Sequence, residues 1–282
     1  VMPIKLLLGH FEKITCLELH SLNSNKKIWY PAFLVFDSEA INDNILPSIS
    51  KYLSNNGLAV GVNRNEALIH GINEVMERET LSKHFQEVFI ERSIKTCNKV
   101  DFTLLPKDVI KKIKDIENTI GSSVTILDIT RYDGFYTYYA FAEHKLLPIK
   151  GSGTSQYRKY AILRTLSELY QAFAMFDEED EIINEIALKN FANIPQYKNL
   201  LLADYSAIDL INVSFVEDDF PEFSCFELLE KILGYLSGNG FSVFEFHLTT
   251  HPSIYCARVV IPEADNFQLA NHGIKVIPNV LK

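Results

Sequence analysis

Two stretches of this chain align with each other without a gap. Ala67-Leu68-Ile69-His70-Gly71-Ile72-Asn73-Glu74-Val75-Met76-Glu77 matches Ala161-Ile162-Leu163-Arg164-Thr165-Leu166-Ser167-Glu168-Leu169-Tyr170-Gln171. Both read alanine, two apolar residues, later a glutamate, and finally glutamate or its amide relative glutamine. Val124, Ile129, Thr130 and Tyr136 match Val243, Leu248, Thr249 and Tyr255 in the same way. A chain that carries one helical pattern and one two-strand pattern twice, in the same order, is expected to build a helix and hairpin unit twice. The predicted architecture is α+β, with helices packed on mixed or antiparallel sheets. It is read as a single domain over residues 1–282, with pseudo-repeated halves at 30–150 and 151–282.

Periodicity and turn residues place the other elements. Residues 28–36 read as a buried strand with Pro31 near its start, and 55–61 as a glycine-flanked turn or loop. Helical spacing runs over 64–89. Strands at 124–128 and 135–141 flank a turn at 131–134. Gly151-Ser152-Gly153 precedes a second helix over 157–176. The acidic run 177–181 is expected to be a solvated helix end or loop. Residues 216–221 form a loop before a helix over 225–236, and a turn at 238–240 leads to strands at 243–248 and 255–261.

Charge and composition exclude several function classes. The net charge of −9, from 27 basic and 36 acidic side chains, argues against a nucleic-acid binder driven by a basic surface. No run approaches the roughly 18 apolar residues of a membrane-spanning helix. Lys5-Leu6-Leu7-Leu8-Gly9-His10 turns polar too soon for a signal peptide. Cys16, Cys97, Cys225 and Cys256 form neither a CxxC pair nor a zinc-like cluster, so reduced, buried or half-buried thiols in a cytoplasmic protein are expected. The chain opens Val1-Met2, which points to a processed product or a fragment.

Helix geometry turns spacing into direction, at about 100° per residue. Around the first helix Glu66, Glu74 and Glu77 share one arc with Arg78 beside them, opposite an apolar stripe of Leu68, Ile69, Ile72, Val75 and Met76. On the second helix Arg164, Glu168 and Gln171 share an arc opposite Ile162, Leu166, Leu169, Tyr170 and Phe173. The polar face of an amphipathic helix is one reading of either helix alone. Three acids on one arc, however, repel each other unless a cation intervenes, and oxygen ligands of this kind suit Mg²⁺, which commonly bridges to phosphates. There is no G-x-x-x-x-G-K-[ST] loop, no G-x-G-x-x-G between strand and helix, no H-E-x-x-H and no G-x-S-x-G. His247 and His251 are four apart but fall on a strand and a turn, which does not suit a metal pair. Spacing alone therefore leaves an acidic site suited to Mg²⁺ and assigns no catalytic residue.

Taken in order, these segments resemble the YcaO family. Asn55-Asn56-Gly57-Leu58-Ala59-Val60-Gly61, Asn65-Glu66-Ala67 and Glu74-Val75-Met76-Glu77-Arg78-Glu79 are similar to its S-N-G-L-A-x-G, E-E-A and E-x-x-E-R-D signature. Gly151-Ser152-Gly153, Ala161, Arg164, Glu168 and Gln171 are similar to its later G-x-G and A-x-x-R-x-x-x-E-x-x-Q motif. Gly240-Phe241-Ser242-Val243 and Ala257-Arg258-Val259-Val260-Ile261-Pro262 resemble its closing strands. The resemblance implies a YcaO-like fold that binds ATP without a phosphate loop, with carboxylates on two helices holding Mg²⁺. By position it implies Glu74, Glu77 and Glu168 as Mg²⁺ ligands, and Asn56, Glu66, Arg78, Arg164 and Gln171 as nucleotide contacts. It further implies an enzyme that phosphorylates a peptide amide oxygen, for azoline, thioamide or amidine formation in ribosomally made peptides. A peptide substrate, a partner protein for peptide recognition and, by analogy, a homodimer follow from the same resemblance. Nucleic acid and membrane are not expected partners.

Departures from the family pattern bear on these expectations. Asn55 stands where the family prefers Ser, Glu79 where it prefers Asp, and His70 where some members carry Ser. Ala161 and Arg164 stand near where some members carry additional carboxylates, which thins the second metal set. The family's P-G after the last strand is Pro262-Glu263, and the chain ends without the proline-rich tail of many azoline-forming members. Other members are accessory factors to a ribosomal-protein methylthiotransferase, so a non-catalytic or scaffold role is the alternative.

Overall fold

The computed structural model describes residues 15–35, 53–217, 223–248 and 253–278. In chain order the elements begin β1 (Cys16–His20), β2 (Lys27–Pro31), β3 (Leu58–Gly61), α1 (Arg64–Phe85), β4 (Thr96–Val100), α2 (Lys107–Ile120), β5 (Val124–Asp128) and β6 (Tyr136–Ala142). They continue β7 (Ile149–Ser155), α3 (Arg158–Ala174), α4 (Glu178–Asn190), α5 (Pro195–Leu201), β8 (Asp209–Val213), α6 (Cys225–Gly238), β9 (Phe244–His247) and β10 (Tyr255–Val260).

Capping chemistry sets several helix ends. The Asp177 side chain accepts the Glu179 and Asp180 N–H groups, while the Asp180 carboxylate accepts the Asp177 N–H. Ser224 and Glu227 make the same reciprocal pair at the start of α6. The acidic run at 177–181 is thus a helix start whose carboxylates complement the helix dipole. At the other end of a helix, α2 stops at Gly121, whose φ of 78° lies in the left-handed region.

Two local expectations change. The strand expected at 28–36 stops at Pro31, and Ala32–Leu34 turns into a short 3₁₀ helix, with Phe36 outside the described residues. Proline closes the strand because it brings no N–H to extend a ladder. The loop expected at 55–61 turns only at Asn56 and Gly57, after which Leu58–Gly61 pairs with β10. Gly151–Gly153, which precedes the second helix as expected, lies inside β7. Thr249 and His251 fall outside the described residues, as does the loop expected at 216–221 beyond Glu217.

The chain packs as two units, each discontinuous in sequence, with one division falling inside α1 between Arg78 and Glu79. One unit takes the described parts of Val1–Arg78 and Pro221–Asn266. It contains an antiparallel sheet in the order β3-β10-β9 and the β1–β2 hairpin, whose Leu19 packs with Phe244 and Val260. The other unit takes the described parts of Glu79–Phe220 and Phe267–Pro278. Its five-stranded sheet runs β7-β6-β5-β4-β8 and is antiparallel except for the parallel β4–β8 pair. Val109 and Ile113 of α2 and Ile162 and Leu166 of α3 bury their apolar faces with Ile126 and Tyr138 of that sheet. The α+β architecture, with helices on antiparallel and mixed sheets, is the one expected.

Two helix–strand contacts are close enough to require glycine. A Cβ on Gly153 would lie 2.6 Å from the Ala161 oxygen and the Thr165 nitrogen, and one on Gly151 would lie 2.3 Å from the Leu169 nitrogen. The backbone of α3 therefore rests directly on the backbone of β7. In the other unit Gly57, at φ 78°, would place a Cβ 2.2 Å from the Val259 oxygen, and a Cβ on Gly71 of α1 would reach Val259 Cγ2 at 2.7 Å.

The second unit also buries two basic groups. His84 Nε2 lies 2.9 Å from the Tyr205 hydroxyl, and burial, followed by the charge of Arg131, pushes its pKa down to about 3. Lys150 Nζ donates to the Leu201 carbonyl at 2.7 Å and to Asn271 Oδ1 at 2.8 Å, and burial pushes it down to about 7. None of the four cysteines is bridged. Cys97 is buried and Cys256 half-buried, but Cys16 and Cys225 are exposed, contrary to expectation. No helix among the described residues is long and apolar enough to cross a membrane.

Gly153→Ala is expected to cost roughly 2–4 kcal/mol in chemical denaturation, because backbone lies on both sides of the new methyl group. Gly121→Ala, which meets open space, should cost only about 1 kcal/mol, for its left-handed backbone. Stability should also fall as pH drops from 6.5 toward 3, since the unfolded chain takes a proton that folded His84 refuses. Urea unfolding at stepped pH should show that slope reduced in His84→Gln.

Candidate functional site

The helix that carries most of the candidate residues departs from the amphipathic pattern. Along α1 not only Leu68, Ile72 and Met76 are buried but also Asn73, Glu77, Glu79, Thr80 and Ser82, with Glu77 only 3% exposed. Its acids therefore do not form the solvated polar face that spacing alone allowed. Glu79 accepts the Tyr132 hydroxyl at 2.9 Å, a core contact of the second unit.

Glu74 lies one helical turn from Glu77 and is half-buried. Burial holds its carboxyl above the usual range, opposed first by Arg78, while the charge of Glu77 adds to the rise. The Gly57 backbone N–H, which the carboxylate accepts, and the charge of Arg258 pull the other way. Arg258, on β10, is itself held below its usual range by burial, and its guanidinium donates to the Ser54 carbonyl. Beside Gly57, Asn56 donates from Nδ2 to Asn266 Oδ1 at 2.9 Å, and its own Oδ1 is buried without a hydrogen-bond partner. A buried acceptor left in that state is costly unless a ligand supplies the donor.

Glu66 stands apart from that group. It precedes Glu74 by eight residues, about 12 Å along the axis at ~1.5 Å per residue. It accepts the Val62 N–H at 2.8 Å, its own N–H donates to Asn63 Oδ1 at 3.0 Å, and His70 lies 4.0 Å away. These contacts stitch the first turn of α1.

In the second unit, Glu168 accepts both the Ser152 N–H at 3.1 Å and the Ser152 hydroxyl at 3.3 Å. Ser152 lies on β7, an edge strand, so the carboxylate satisfies an N–H at the sheet margin. Arg164, one turn earlier, has its Nε buried without a hydrogen-bond partner. Gln171 is exposed and donates to Met175 Sδ at 3.5 Å. Glu74 and Glu168, which align in the sequence repeat, thus do the same thing. Each accepts a backbone N–H from a glycine-bearing segment beside its own helix. Among the described residues, no three His, Cys, Asp or Glu side chains stand together as a ready-made metal cage.

Two of these residues were not singled out by spacing. Arg258 had a signal, a charged residue in the middle of an apolar strand, which asks for a buried partner. Ser152 had none, because its contribution is mainly its backbone N–H.

A family model described as YcaO cyclodehydratase, ATP- and Mg²⁺-binding, matches residues 9–265. The chain belongs to the YcaO family. An uncharacterized protein of Methanothermobacter thermautotrophicus is 28% identical over 260 residues, covering 88% of this YcaO chain, which in turn spans 65% of that relative's length. Among solved structures, YcaO from Methanopyrus kandleri bound with AMPPCP and Mg²⁺ matches with a TM-score of 0.68 at 20% identity, over 96% of this chain and 70% of that one. The heterocyclase TruD matches at 0.61 and 18% identity, over 90% and 36% of the two chains. The E. coli microcin synthetase McbBCD complex with pro-MccB17 bound matches at 0.56 and 15% identity, over 89% and 64%. At these identities the likeness establishes the YcaO fold.

Removing the Arg258 charge should raise the Glu74 carboxyl further. Arg258→Met is expected to move the Glu74 titration to higher pH in carboxyl-carbon NMR, with Arg258→Lys intermediate.

Proposed function

We propose that this YcaO protein binds ATP with Mg²⁺ and phosphorylates a peptide amide oxygen. The observation that carries this reading is the Glu74 carboxyl, half-buried beside Glu77 and held above its usual range by burial. A divalent cation would offset that cost, so Glu74 and Glu77 on α1 are proposed metal ligands; Glu168, on α3 of the other unit, is proposed as one by its place in the family motif. Mg²⁺ keeps waters and substrate phosphates in its coordination sphere, so few protein carboxylates are required. The buried, unpartnered Asn56 Oδ1 and Arg164 Nε fit a nucleotide, one as acceptor for a ribose or base donor and the other as donor to a phosphate oxygen. Arg78 and Arg258 add positive charge, and Glu66 and Gln171 complete the proposed contacts.

The bound metal would supply charge neutralisation of the triphosphate. The chain's own residues would hold the terminal phosphorus in line with the amide oxygen and stabilise the charge that develops there. Phosphorylation turns that oxygen from a poor leaving group into a good one. A Cys, Ser or Thr side chain, a sulfur source or an amine then displaces it, giving an azoline, a thioamide or an amidine. The heterocyclase and synthetase likenesses support a peptide substrate and a partner protein, and a homodimer belongs to the same proposal. An accessory, non-catalytic role is the second reading. It is favoured by Gln171, which is exposed and bonded to Met175, so that α3 offers only Glu168 on that arc.

Calorimetric titration with ATP plus Mg²⁺ tests the proposal. Wild type is expected to bind, and Glu74→Ala to bind at least about tenfold more weakly. Ligand-free Glu74→Gln should melt no lower than wild type, because it removes a charge that burial disfavours. Tight binding that survives Glu74→Ala overturns the site assignment. No binding by the wild-type protein overturns the enzyme reading and leaves the accessory one.

A further inference from the structure

We infer that the outer edge of β8 is a docking strand for an extended, basic-flanked peptide, a role that rests on the reading above that the substrate is a peptide. β8 is the last strand of its sheet, and among the described residues it pairs only with β4. The register is parallel, Thr96 opposite Asp209 through Val100 opposite Val213. At its two ends the Asp209 N–H donates to the Lys95 carbonyl, and the Val213 carbonyl accepts the Asp101 N–H. In a parallel ladder the inward-bonding residues alternate, so Asp209, Ile211 and Val213 turn their backbone groups toward β4. Leu210 and Asn212 consequently turn their N–H and C=O groups to the outer edge. The strand is exposed on both faces, with Ile211 51% exposed, and carries no lysine, proline or bulge of its own.

Charge selects the occupant. The carboxylates of Asp209 and Glu217, both exposed, bracket a stretch without a charged side chain, Leu210 to Val216. An apolar, extended segment with a Lys or Arg at each end complements that pattern. A second copy of β8 does not, since it would bring two more carboxylates to the same edge. Ser152, the partner of Glu168, lies on the opposite edge strand. Four strand spacings of ~4.8 Å put that edge about 19 Å away, which an extended peptide crosses in roughly six residues at ~3.3 Å each. The docked segment and the residue that reacts would therefore be different parts of one peptide.

The probe is fluorescein-labelled Lys-Thr-Val-Thr-Val-Thr-Lys, followed by anisotropy on the whole protein without nucleotide, so that docking and ATP binding fail independently. Asn212→Pro deletes an outward N–H while leaving the β4 ladder intact, and an edge strand tolerates it. It should weaken binding roughly five- to tenfold, the equivalent of about one hydrogen bond. Charge reversal at Asp209 and Glu217 to Lys should weaken it at least as much, and neutralisation to Asn and Gln should reduce its salt dependence. In hydrogen exchange, bound peptide should slow the Leu210 and Asn212 amides. Equal affinity for the peptide with N-methylated valines, undiminished binding by Asn212→Pro, or protection of those amides by raised protein concentration alone would each overturn the assignment.

Discussion

Helix backbone pressed on strand backbone, with a glutamate of the helix accepting an N–H from beneath, is the contact on which the rest of the arrangement depends. It occurs in full at Gly151 and Gly153 with Glu168; beside Glu74 the turn at Gly57 meets the Val259 carbonyl, while Gly71 of the helix meets the Val259 side chain. With no side chain between the backbones of α3 and β7, α3 has little freedom to rise, slide or rotate. A carboxylate in such a place keeps its height above the strand and the direction of its lone pairs. That is the property a metal or phosphate contact requires, and here it comes from residues without side chains as much as from the acids themselves. What the two copies of the sequence repeat share in the structure is the glutamate that accepts a backbone N–H.

Much of the architecture was legible because its signals were local. β5 and the start of β10 lie where β-branched and aromatic residues cluster, and the arc of Arg164, Glu168 and Gln171 follows from helical spacing alone. The failures have a common cause in tertiary contact. Gly151-Ser152-Gly153 shows no strand pattern of its own, and its place in β7 follows from α3, which requires a surface without side chains. Leu58–Gly61 is too short to show alternation convincingly, and it becomes a strand by pairing with β10. Spacing alone sets Glu66 on the arc of Glu74 and Glu77, about 12 Å away along the axis, where its carboxylate accepts the Val62 N–H and stays a proposed contact. The burial of Glu77 and the partnership of Glu74 with Arg258 depend on neighbours distant in sequence.

The same residues illustrate how charge is handled away from water. Glu74 keeps two guanidiniums and a backbone N–H nearby, yet burial still prevails over them and its carboxyl stays raised. A structural ion pair would lower it. An acid left with this imbalance is a poor stabiliser of the ligand-free fold, which separates it from Glu79, whose carboxylate accepts the Tyr132 hydroxyl.

Lys150 lies against the Leu201 carbonyl and the Asn271 side chain, and its pKa falls from 10.5 to about 7. Across that interval the unfolded chain holds a proton that the folded chain has released, so folding grows more favourable as pH rises. His84 acts in the same direction at lower pH. Between them the two groups make the fold averse to protons on both sides of neutrality. Through these two groups the second unit gains stability as pH climbs from about 3 toward 6.5 and again from about 7 toward 10.5.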